Sequence, residues 1–184
     1  MNKTSSKAAF AGALLTLSLT LTGCAATGSG TDMGSHDMGA HDSSLTEAAA
    51  FAQMMIPHHL QAITMAAYAK ENGKDPKVIE LAKQIYVAQA AEIDTMKTWL
   101  GDAKVPNNSM TEGMLTEAEM KTLNETKGAA FDQMFLETMI AHHVGALEMA
   151  TAFQKTTDPE LKKLVAEVLS MQTIELSMMK ILLK

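Results

Sequence analysis

No arginine occurs anywhere in the 184-residue chain, so all 15 basic side chains are lysine. The formal charge of −6 removes the basic face that a nucleic-acid binder carries. Cys24 is the single cysteine, which excludes an internal disulfide. Aromatic residues make up only 4% of the chain, while methionine reaches 16 residues. Catalytic signatures are missing too. There is no nucleophile elbow and no His-Glu-x-x-His. None of the six histidines follows a glutamate by three residues, as two histidines of a di-iron oxidase do. No catalytic residue is expected, and the chain reads as a non-enzyme.

What is present begins with a targeting signal. Lys3 and Lys7 make a positive start, and Ala8 to Leu21 is an apolar run too short for a membrane span. Leu21-Thr22-Gly23-Cys24 resembles a bacterial lipobox, in which cleavage precedes a lipidated cysteine. Residues 1–23 are therefore read as a lipoprotein signal peptide. Cys24 is read as the lipid anchor, holding the chain to the outer face of the cytoplasmic membrane or to the outer membrane. Residues 24–43 read as a polar tether without apolar period. A tandem repeat inside it places Met33 and Met38 three residues before His36 and His41. Thioether and imidazole suit a soft ion such as copper, so the tether is a candidate capture segment.

Self-similarity organises the remainder, residues 44–184. Phe51 to Ala66, containing Met-Met-Ile-Pro-His-His, aligns with Phe135 to Ala150, containing Thr-Met-Ile-Ala-His-His, at an offset of 84 residues. Asp75-Pro76 matches Asp158-Pro159 at an offset of 83, as Gln89 and Glu92 match Gln172 and Glu175. Each repeat, 44–100 and 116–184, reads as a helical hairpin. The first helix runs from about Thr46 to Asn72, with Ser44 and Glu47 as a capping box and Gly73 at its end. The second runs from Pro76 to Leu100, capped by Asp75. A third starts after Thr116, with Glu119 completing a capping box, and continues to about Lys155 unless Gly128 breaks it. A fourth starts at Pro159, capped by Asp158. The expected fold is all-α, an up-down-up-down four-helix bundle built from two repeated hairpins.

Helical spacing puts Phe51, Met55, His58, Ala62 and Met65 on one stripe, beside Ile56, His59 and Ile63. The second repeat gives Phe135, Met139, His142, Ala146 and Met149, beside Ile140, His143 and Leu147. Counting from the hairpin turn, His58 and His59 lie roughly 23 Å along the first helix, as do Gln89 and Glu92 along the second, at 1.5 Å per residue. Both hairpins thus bring His58, His59, His142, His143, Gln89, Glu92, Gln172 and Glu175 to one layer. Met55, Met65, Met139 and Met149 join the four histidines as candidate metal ligands, with Met96 and Met179 nearby. The four carboxamide and carboxylate residues are candidates to orient the imidazoles. Thioether with imidazole favours Cu(I), and silver on the same ground. The competing reading is an envelope structural or interaction module with a buried His/Glu/Gln network and no metal. Homo-oligomer formation and an envelope partner stay open.

Met-Ile-Pro-His-His, a downstream Met-Ala, and the later Gln-x-x-Glu-Ile-x-x-Met-Lys-x-Trp-Leu resemble domain-of-unknown-function family 305 over about residues 46–183. The resemblance implies a ferritin-like four-helix bundle in an exported, Met/His-rich protein, with copper binding and tolerance in some members. By motif position it carries over Met55, His58, His59, Met65, Met139, His142, His143 and Met149. Ala141 departs from the pattern, standing where the first repeat has Pro57.

Overall fold

The computed structural model describes residues 45–101, 103–105 and 110–184. The signal segment, Cys24 and the tether with Met33, His36, Met38 and His41 lie outside the described residues. Within them the chain forms five helices, α1 (Glu47–Asn72), α2 (Pro76–Leu100), α3 (Glu117–Glu125), α4 (Gly128–Ala152) and α5 (Pro159–Leu182), and no strand.

The two Asp-Pro starts behave as their chemistry dictates. The Asp75 carboxylate accepts from the Lys77 N–H, and Asp158 accepts from Glu160 and Leu161, while the prolines sit where no donor is needed. Thr116 and Glu119 cap α3 reciprocally. The α1 cap differs from the expected Ser44–Glu47 box. Thr46 is the N-cap, its hydroxyl accepting from the Ala49 N–H at 3.1 Å, and Glu47 is already helical. Gly73 ends α1 at φ −71°. It is needed there for space, since a Cβ would stand 2.7 Å from the Ala69 carbonyl. Gly128 does break the third helix, which becomes α3 and α4. Its φ of +66° reverses the backbone after Thr126 and Lys127, a conformation glycine adopts without strain.

The four long helices make the expected bundle of two hairpins, but the second hairpin runs the other way up. Phe51 of α1 packs edge-on against Phe153, the residue that caps the end of α4, with ring centroids 5.2 Å apart, while His58 meets His142 at 3.7 Å. Moving up α1 therefore means moving back along α4, so these neighbours are antiparallel. The course is up-down-down-up, not up-down-up-down. The physical reason is the connection between repeats, which is long enough to travel the whole bundle. It climbs beside α1, with Gln53 Nε2 donating to the Lys104 carbonyl at 3.0 Å, Gln61 bonded to Leu115, and Asn72 Nδ2 donating to the Asn124 carbonyl at 2.8 Å. One such crossover is the ferritin-like arrangement.

Two buried clusters fill the bundle. One holds Met65, Leu81, Ile85, Phe131, Phe135, Met139 and Met179, the other Phe51, Met55, Ile93, Met96, Ala146, Leu161 and Val168. On every long helix the polar residues of the predicted layer fall between the two. His58 and His59 separate Ile56 from Ala62, His142 and His143 separate Met139 from Ala146, and Gln89 and Gln172 occupy the same interval on α2 and α5. His58 touches its own repeat counterpart, His142, so the approximate two-fold axis relating the hairpins passes between them.

Candidate metal centre

All four histidines are completely buried. Such a group must find partners or stay neutral. His59 Nε2 donates to the Glu92 carboxylate at 2.6 Å, and His143 Nε2 donates to Glu175 at 2.8 Å, so each hairpin repeats the same pair. His58 Nε2 donates instead to the backbone carbonyl of Glu112, in the crossover, at 3.2 Å. With a proton on Nε2, the neutral form of each of these three rings carries its lone pair on Nδ1. Among the described residues none of those Nδ1 atoms has a partner, and both ring nitrogens of His142 are bare. Ring centroids lie 3.7 Å apart for His58 and His142, 6.3 Å for His58 and His59, and 6.5 Å for His142 and His143.

Burial is the main reason the central pair resists protonation. It lowers His58 to about 3, helped by the neighbouring His59 and opposed by the Glu112 carbonyl. Burial likewise holds His142 well below the ordinary histidine value, with His58 the next contributor. The His58 carbonyl pulls His142 weakly the other way, though without reaching hydrogen-bond geometry. Two neutral imidazoles in contact are what a metal needs as ligands.

The structure brings the sulfur candidates close to this layer from both sides. Met65, Met139 and Met179 belong to one flanking cluster, and Met55 and Met96 to the other, against which partly buried Met149 packs. The internal repeat exchanges the two sets. Gln89 and Gln172 do not orient the histidines as expected. Glu92 and Glu175 do so, and both glutamine amides are buried without a partner. Among the described residues, no group of three or more His, Cys, Asp or Glu side chains is arranged to hold a metal ion. Imidazole nitrogen together with thioether would make a soft donor set.

Sequence reasoning missed the crossover's part in the centre. Thr111 to Met114 forms a turn lodged against α4, where a Cβ on Gly145 would stand 1.9 Å from the Glu112 carbonyl oxygen and one on Gly113 2.5 Å from the Ala141 oxygen. Gln61, the counterpart of Gly145, clasps the same segment by accepting from the Leu115 N–H at 2.6 Å and donating to its carbonyl at 2.8 Å. The signal was the mismatch itself, since Gly145 and Gln61 occupy equivalent repeat positions.

The family model of Domain of unknown function (DUF305) matches residues 48–183. The chain belongs to the DUF305 family. Among solved DUF305 structures, one from Deinococcus radiodurans is 29% identical with a TM-score of 0.67, covering 74% of this chain and 94% of that one. A DUF305 protein from Streptomyces coelicolor, provisionally described as secreted, is 30% identical with a TM-score of 0.66, covering 72% and 89%. CopM in its Cu(I)-bound form is 33% identical with a TM-score of 0.63, covering 72% and 92%. CopM has also been solved with Cu(II) and with silver. Uncharacterized protein L153 of Acanthamoeba polyphaga mimivirus is 42% identical over 53 residues, 29% of this chain and 35% of that relative, so the match spans about a third of it. The DUF305 likeness thus covers the whole bundle and both histidine pairs.

Proposed function

We propose that this chain is an extracytoplasmic, lipid-anchored copper-binding protein that sequesters or buffers copper. The carrying observation is the layer of buried, unpartnered Nδ1 atoms on His58, His59, His142 and His143, flanked by methionines in both adjoining clusters. A purely structural network would satisfy its buried polar atoms, since each one left bare costs about 1–3 kcal/mol. The neighbouring CopM, seen with Cu(I), Cu(II) and silver, supports the reading, as does the provisional secreted description of the Streptomyces relative. In this account Cys24 anchors the chain, Met33, His36, Met38 and His41 capture ions, and the bundle holds them. No catalytic step is involved.

A second reading has its own support in the His59–Glu92 and His143–Glu175 pairs, which alone could pin the register of a metal-free envelope module. Titration with Cu(I) under reducing conditions decides between them. Tight binding should persist when the tether ligands are replaced and fail in the His58/His59/His142/His143→Ala variant. Met55→Leu with Met139→Leu conserves volume, so stability should change by less than about 1.5 kcal/mol per swap while Cu(I) affinity falls. Unaltered affinity in both bundle variants would sink the proposal.

A further inference from the structure

The two hairpins are built alike, yet their central histidines are not held alike. His58 Nε2 donates to the Glu112 carbonyl, whereas His142, its repeat counterpart, has no hydrogen-bond partner on either ring nitrogen among the described residues. The difference has one source. A single crossover joins the repeats, so its turn can lie on only one of the two equivalent positions. Three features seat it there. The Met114 N–H donates to the Thr111 carbonyl, closing the turn; Gln61 grips Leu115 from α1; and Gly145 on α4 leaves the gap that the Glu112 carbonyl enters.

We infer that the crossover turn Thr111–Met114 is a positioning device that locks His58 in its Nε2–H tautomer and leaves His142 unlocked, making the two halves of the centre unequal as ligands. The lock presents the His58 Nδ1 lone pair to the layer at all times. His142 must select a tautomer and an orientation when it binds. A carbonyl on the far nitrogen also raises the basicity of the ligating one, and removing such a partner typically costs ten- to a hundredfold in metal affinity. The ordering of the halves rests on the copper reading above, but the lock itself is a property of the metal-free protein.

The test uses the full chain with ¹⁵N-labelled histidine. Two-bond ¹H–¹⁵N correlation spectra of the metal-free protein near neutral pH should show His58 as a single Nε2–H tautomer and His142 as an average of two. In Gly145→Ala the new methyl displaces the Glu112 carbonyl, and His58 should then average like His142. Gln61→Ala releases the clasp on Leu115 without adding bulk, and it should shift His58 the same way should Gly145→Ala fold poorly. Silver ion is then titrated as a redox-inert probe. His58 should respond at roughly tenfold lower silver than His142, and the gap should close in the variants. A His58 already averaging in the parent, or locked in both variants, overturns the lock. Simultaneous responses in the parent overturn the inequality. No response of either ring to silver would instead count against the copper reading, with the lock still decided by the metal-free spectra.

Discussion

At the scale of single residues, the central imidazoles trade stability for availability. A histidine pushed down by burial binds its proton more weakly folded than unfolded. The contribution is present in full above the ordinary value of 6.5 and is lost as the pH falls from there toward about 3, the value of His58. His142 shifts in the same direction for the same reason. Metal-free protein should therefore lose stability steadily between about pH 6.5 and pH 3, and a His58→Ala/His142→Ala variant should lose less over that interval. Urea unfolding at a series of pH values measures the difference, which removes the background from carboxylates. Parallel curves for the two proteins would show that the buried pair is not what acid attacks. Both members of this pair were legible in the sequence, because apolar neighbours at helical spacing put them inside. Their contact was not, since spacing along one helix says nothing about which residue of another helix lies opposite.

At the scale of elements, the helix ends were the most legible features. Asp75-Pro76, Asp158-Pro159 and Thr116–Glu119 each carry a local chemistry that acts wherever the chain goes. The α1 start was legible to within a residue, but its cap was misassigned, because Ser44 and Glu47 have the right spacing for a reciprocal cap and Thr46 provides an equally good hydroxyl two residues later. Less visible was Asp132. Its carboxylate leaves α4 to accept from the Lys74 and Asp75 N–H groups, at 2.9 and 2.8 Å, and so ties the α1–α2 turn to the second hairpin. The clue was an acid in a run of apolar residues, with nothing local for it to bond. Asp132→Ala leaves two sheltered donors without partners. It should cost about 2–6 kcal/mol, at 1–3 kcal/mol for each lost partner, read by urea unfolding. A cost under about 0.5 kcal/mol would mean that water replaces the carboxylate freely.

At the scale of the whole molecule, the duplication was plain from the offset of 84 residues, and the sense of the second hairpin was not. Both courses satisfy the same apolar pattern, because a stripe buries equally well whichever end is up. The deciding quantity was the reach of the connection after Leu100, and only its packing along α1 reveals that it crosses the bundle. In the inverted course the polar layer of each hairpin still coincides with that of the other. The middle of the molecule therefore gathers His58, His59, His142 and His143 with the bare amides of Gln89 and Gln172, between two apolar clusters that satisfy themselves. An ion bound there would sit where the apolar core is interrupted, and it would bind only the folded chain. At a free silver concentration a hundred times the dissociation constant, one such site should add about 2.7 kcal/mol to the unfolding free energy. The four-histidine alanine variant should gain nothing, even though it keeps the tether ligands, because capture by the tether is indifferent to whether the bundle is folded. Equal stabilisation of the two proteins would place the ion outside the bundle and leave the polar layer as a register device alone.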